Sequence, residues 1–73
     1  MLAENIRRLR KKKGLSQEKL ARLADISNNT LIKIEQEVAK DPTITTVTKI
    51  ASALEVSIDE LVKGSKNNEK RKL

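Results

Sequence analysis

Apolar residues recur along this chain at three- and four-residue steps in five short runs, a period that predicts helices and no strand. Leu2, Ile6 and Leu9 form the stripe of a first helix over 2–13, with Gly14 at the position where a left-handed residue ends it. Ser16 is a good N-cap for a second helix over 17–24, whose Leu20, Ala21, Leu23 and Ala24 point inward. Leu15 and Leu20 have the spacing of a hydrophobic staple. Eleven residues on, Ser27 repeats the cap, and Ile26 and Leu31 repeat the staple. Asp25 falls where the chain must reverse, and Asp tolerates the left-handed conformation better than most residues. A third helix follows over about 28–37, with Leu31, Ile34 and Val38 as its buried stripe. Pro42 breaks the pattern. Thr43 then caps a fourth helix carrying Ile44, Val47, Ile50, Ala51 and Leu54. Thr45, Thr46 and Thr48 are poor helix formers, so this helix depends on tertiary packing. Ser57 and Glu60 form a capping box for a fifth helix, Val56 and Leu61 a third staple, and Gly64 the end. Residues 1–64 therefore read as one all-α domain. Residues 65–73, SKNNEKRKL, have no apolar period and read as a disordered basic tail, or equally as a linker to a further domain.

Two capped helices joined by a tight turn are the outline of a helix-turn-helix. The third helix has two unlike faces. Opposite its apolar stripe lie Asn28, Asn29, Ile32, Lys33 and Gln36. Amides can pair with adenine, a Lys can reach guanine acceptors, and an apolar side chain can pack on a thymine methyl. A solvated helix face is the ordinary explanation for such residues on a lone helix. Here the face opens at a capped N-terminus beside a second capped helix, and Ile32 has no structural reason to meet water.

Composition removes several alternatives. The 73 residues contain no aromatic residue, no Cys and no His. The core must be built of Leu, Ile, Val and Ala, and a domain this small buries only about 60% of its unfolded surface. Modules that stack bases on aromatic rings are excluded. So are disulfide stapling, a zinc finger and a histidine-based active site. The five serines, Ser16, Ser27, Ser52, Ser57 and Ser65, have no His to activate them, and the carboxylates are scattered or capping, so an enzyme is the least favoured class. No cofactor and no small-molecule ligand is indicated. No apolar run approaches the roughly 20 residues that span a membrane, and the N-terminus lacks the apolar core of a signal peptide. The absence of Cys fits a reducing cytoplasm.

The net charge of +6 is unevenly spread. Residues 1–13 carry +5, residues 14–63 carry −2, and residues 64–73 carry +3. Excess charge at two ends of a nearly neutral domain favours a polyanionic partner, to which Lys11, Lys12 and Lys13 would add non-specific attraction. Basic residues in a last turn also suit the helix dipole, so those three lysines have a structural reason as well. A membrane-surface peptide built on the basic first helix fails, because its apolar stripe is narrow, as in a core-packing helix.

Gly14, Leu15, Ser16, Gln17, Ala21, Ile26, Ser27, Leu31, Ile34 and Glu35 together resemble the phage repressor and Cro type of regulator, the lambda-repressor-like or xenobiotic-response-element family of helix-turn-helix domains. The resemblance spans roughly residues 4 to 63. It implies a compact five-helix domain with the helix-turn-helix at helices two and three. It implies a transcriptional regulator, a repressor in type, that binds double-stranded DNA with the third helix in the major groove, as a homodimer on a two-fold operator. Asn28, Asn29, Ile32 and Lys33 would read bases, and Arg10, Gln17, Lys40 and Thr43 would hold phosphates. Arg10 and Glu35 match the family's structural pair, which ties the first helix to the third. Two positions depart from the pattern: Asp25 and Glu37 stand where many members carry Gly. Glu37 leaves two outcomes, a third helix one turn longer or a strained cap. The same fold also serves protein-interaction modules, antitoxins or bridging factors among them, and the exposed apolar Ile32 is the feature that favours that alternative.

Overall fold

The computed structural model describes residues 2–38 and 42–63. Five helices follow in order: α1 (Leu2–Lys12), α2 (Gln17–Ala24), α3 (Asn28–Glu35), α4 (Ile44–Leu54) and α5 (Ile58–Lys63). No strand occurs among the described residues. The expected end at Gly64, the tail at 65–73, and Lys40 lie outside them.

The caps form as their residue types dictate. Ser16, Ser27 and Thr43 hold extended backbone, and each side-chain oxygen accepts a bond from the amide three residues on, at Lys19, Thr30 and Thr46. Ser57 accepts likewise from the Glu60 amide at 3.0 Å, and among the described residues only that half of the capping box is made. Each such oxygen satisfies one of the amides that a helix start leaves without a partner.

The four inter-helix corners share one device. Gly14, Asp25, Glu37 and Glu55 all adopt positive φ, between 61° and 71°. At each, the left-handed residue and its successor donate back to carbonyls of the finished helix. Leu15 bonds to Arg10, Ile26 to Ala21, Val38 to Lys33 and Val56 to Ala51, at 2.9–3.0 Å. This is the Schellman closure, in which an apolar residue after the left-handed one normally packs back on the helix. Leu15, Ile26 and Val56 do so, against the core. Val38 does not, and is 66% exposed.

Ile6, Leu20, Leu31, Ile50, Leu54 and Leu61 are fully buried, one or two from each helix. Ala21, Ala24 and Ala51 are buried among them, small enough to let α2 and α4 approach closely. Three expected core positions are corrected. Leu23 is 54% exposed, because Leu20, Ala21 and Ala24 centre the buried stripe and Leu23 lies off its edge. Ile44 is 67% exposed, since it opens α4 one turn before the first core residue, Val47. Val38 leaves the stripe because α3 stops at Glu35 and the chain reverses at Glu37, giving the strained cap and not the longer helix.

Among the described residues, two polar side chains are buried. Asn5 sits on the inner side of α1 and donates through Nδ2 to the carbonyls of Leu61 (2.8 Å) and Val62 (3.3 Å), satisfying the end of the six-residue α5. Nothing in the apolar pattern had marked it. Glu35, 2% exposed, ends α3 and accepts from Arg10 Nε at 2.7 Å, Arg10 Nη2 at 3.1 Å and Gln17 Nε2 at 3.0 Å. Arg10 completes the knot by donating from Nη1 to the Leu15 carbonyl at 2.9 Å. The bidentate geometry is the strong form of an Arg–carboxylate pair.

Removing one member of a buried pair leaves the other charged and alone. Glu35→Ala should therefore cost about 3–5 kcal/mol, a large share of the roughly 5–15 kcal/mol that holds a domain folded. Urea unfolding checks it, and a midpoint equal to wild type would refute the structural role. Asn5→Ala strands two α5 carbonyls and should cost about 1–3 kcal/mol. Amide exchange should then quicken first in α5; uniform exchange across all helices would show that Asn5 does not anchor that helix.

Candidate nucleic-acid interface

Helix α3 buries Leu31, Ile34 and Glu35 and turns its other face outward. Asn28, Asn29 and Lys33 are exposed there, and Ile32 is half-buried beside them. They recur at one-, three- and four-residue steps, so they share a face near the capped N-terminal end. No bond ties their side chains to the rest of the described residues. The four candidate base readers are thus brought together, with their donors and acceptors unengaged.

The orientation of that face is fixed from behind. Glu35 binds α3 to α1 through Arg10 and to the first turn of α2 through Gln17. Arg7 adds a third tie by donating from Nη1 to the Glu35 backbone carbonyl. A cation there also faces the negative end of the α3 dipole. Arg7 was not among the sequence candidates. Its signal was present: it precedes Arg10 by one helical turn, on the side of α1 that faces Glu35.

The four candidate phosphate residues differ in how far their side chains are engaged within the domain. Arg10 is only 11% exposed, and three of its nitrogens donate inward. Those bonds make it the structural partner of Glu35 that the family resemblance implied. Gln17 lies at the start of α2, where backbone amides lack helical partners, but its side-chain amide is engaged by Glu35. Thr43 is exposed at the start of α4, and its hydroxyl accepts from the Thr46 amide at 3.1 Å. Lys40 cannot be placed, being outside the described residues.

The three lysines ending α1 are exposed, but they do not gather around α3. Lys13 pairs with Glu55 at 3.0 Å, at the far end of α4 from Thr43. An eleven-residue helix is about 16 Å long. Lys12 and Lys13 line a shallow groove there with Leu9, Leu54, Glu55, Val56 and Glu60. Lys12 and Lys13 thus lie where the end of α4 meets the start of α5.

Among the described residues, no group of His, Cys, Asp and Glu could hold a metal ion. No helix among them is long and apolar enough to cross a membrane.

Comparison with known proteins agrees with this geometry. The SPbeta prophage-derived uncharacterized HTH-type transcriptional regulator YopO of Bacillus subtilis (strain 168) is 41% identical over 71 residues, covering 94% of this chain and all of that protein. The HTH-type transcriptional regulator SinR of Bacillus subtilis (strain 168) is 32% identical over 62 residues, covering 85% of this chain. The chain spans only 56% of SinR's length. The crystal structure of SinR, the master regulator for biofilm formation, in complex with DNA superposes with a TM-score of 0.82 at 32% identity, covering 86% of this chain and all of that one. A family model described as helix-turn-helix matches residues 6–61. That span takes in both capped helices, their left-handed corner and the Arg10–Glu35 knot, and the chain belongs to the lambda-repressor-like helix-turn-helix family.

Proposed function

We propose that this chain is the DNA-binding domain of a cytoplasmic transcriptional regulator, a repressor in type, that reads double-stranded DNA with α3 in the major groove. The observation that carries the reading is the exposed, unengaged amide-and-Lys face of α3, held rigid from behind by a fully bonded Glu35. A site that must recognise a fixed pattern of base edges needs that division between a free front and a locked back. The relation to regulators, one of them solved on DNA, supports it. The action is binding without catalysis. A homodimer on a two-fold operator follows from the same reading, since paired half-sites mirror the symmetry of two copies. Selection of bound sequences from a random duplex pool tests both: a palindromic winner supports the dimer, and failure to enrich any sequence overturns sequence-specific binding.

Base reading and backbone holding differ in their signatures. Lys33 lies one turn beyond Asn29 on the α3 face, within reach of guanine acceptors. Lys33→Ala should weaken binding to the selected site by about 1–3 kcal/mol and relax preference at one base pair. Lys40, beyond the helix, is assigned to phosphate. Lys40→Ala should weaken all sequences alike and reduce the salt slope by about one. Titration against single-base variants at two salt concentrations separates the two. An even loss across variants for Lys33→Ala would make it a phosphate contact.

Three direct phosphate contacts would contribute roughly 2.7 to the salt slope. With Lys13 bridged to Glu55 and Lys12 beside it, replacing Lys11, Lys12 and Lys13 together by Gln should change the slope by clearly less. A full change would place all three on the backbone.

A further inference from the structure

Four corners of this fold close in the same way, and one of them lacks what the others have. Gly14 carries no side-chain cost in the left-handed region. Asp25 and Glu55 do carry one, and each also sets a negative charge against the negative end of a helix dipole. Both are offset. Ile26 and Val56 seat in the core behind them, and Glu55 is paired with Lys13. Glu37 has the same two costs, at φ 63°, and among the described residues it has neither a seated apolar successor nor an ion pair. Val38 behind it is 66% exposed, and among the described residues the Glu37 carboxylate has no hydrogen-bond or ion-pair partner. The reason Val38 is unseated lies in the chain: α4 begins at Ile44, too far on for Val38 to staple it, whereas Leu15, Ile26 and Val56 each directly precede the cap of the next helix.

The place of this corner matters. An eight-residue α3 is about 12 Å long, close to the roughly 12 Å width of the major groove. With Asn28 and Asn29 at base edges, the far end of α3 reaches the groove rim, where phosphates lie. A carboxylate at that end of the helix repels the phosphates.

We propose that Glu37 is an affinity-limiting residue: its carboxylate, held on the left-handed turn at the end of α3, opposes the phosphate backbone. It lowers affinity for every duplex alike, so that retention on DNA depends on the base contacts made by the opposite end of the helix. This rests on the DNA-binding reading above.

Glu37→Gln removes the charge and keeps the side-chain length. It should tighten binding to the selected site and to a scrambled duplex by the same factor, about two- to five-fold at low salt, and the gain should shrink as salt rises. Glu37→Gly removes charge and left-handed cost together. It should give the same gain in affinity, with a melting temperature raised by about 4–8 °C. Unchanged affinity for Glu37→Gln overturns the proposal, as does a gain for Glu37→Gly alone, which would assign the effect to backbone strain. A loss confined to one base pair also overturns it, making Glu37 a base reader of a cytosine amino group. A wild-type chain that binds no duplex at all would instead remove the DNA-binding reading itself, whatever the variants do.

Discussion

One carboxylate sets the angle at which α3 leaves the domain. Glu35 is the last residue of α3, almost wholly buried, and its two oxygens accept from α1 and α2 at once. Burying that charge is expensive, and its mutual attraction with Arg10 repays the cost only because the geometry is bidentate and the remaining acceptor sites are filled. The pair is thus weak evidence for net stability and stronger evidence for orientation. A hydrophobic contact at the same place would let α3 roll about its axis by a fraction of a residue. Two charge-assisted bonds to a planar guanidinium, itself anchored on the Leu15 carbonyl, do not.

The rest of the fold is arranged so that this knot can form. Schellman closures at Gly14 and Asp25 turn the chain twice in quick succession, bringing the end of α1, the start of α2 and the end of α3 to one place. Each apolar residue that closes one helix also precedes the cap of the next: Leu15 before Ser16, and Ile26 before Ser27. One buried side chain therefore fixes both an exit and an entrance. This economy suits a domain with no aromatic residue and few large core groups. Asn5 serves the other side of the molecule in the same manner, joining α1 to the end of α5 by hydrogen bonds where a short helix could bury little apolar surface.

What could be read from the sequence was what short-range physics determines. Ser16, Ser27, Thr43 and Ser57 cap because a side-chain oxygen reaches an amide three residues away whatever the tertiary context. Their four helices start where those residues stand. Arg10–Glu35 was legible only through the family resemblance, since the partners are 25 residues apart and neither apolar period nor charge marks them as a pair. Asn5 and the Lys13–Glu55 bridge were not legible, because each depends on where a distant helix lies, and Arg7 becomes legible only once Arg10 is paired with Glu35. The misplaced apolar residues have a related cause. Leu23, Val38 and Ile44 satisfy the helical period, but a stripe is buried only where a neighbouring helix covers it, and periodicity does not say where that neighbour ends. On the recognition face, the residue types were legible and their freedom from internal partners was not.

The corner at Glu37 shows what such mismatches between local rule and structure can mean. A left-handed acidic residue is tolerated at Asp25 and Glu55 because an apolar successor seats against the core behind each, so the residue type alone is no sign of function there. At the end of α3 the successor of Glu37, Val38, stays exposed, so this corner lacks the seating that the other two have. Folding alone would favour Gly at this position, as the family pattern has it. A residue kept against the preference of its backbone, at the end of the helix meant to meet DNA, is best explained by what it does to the partner and not by what it does for the fold.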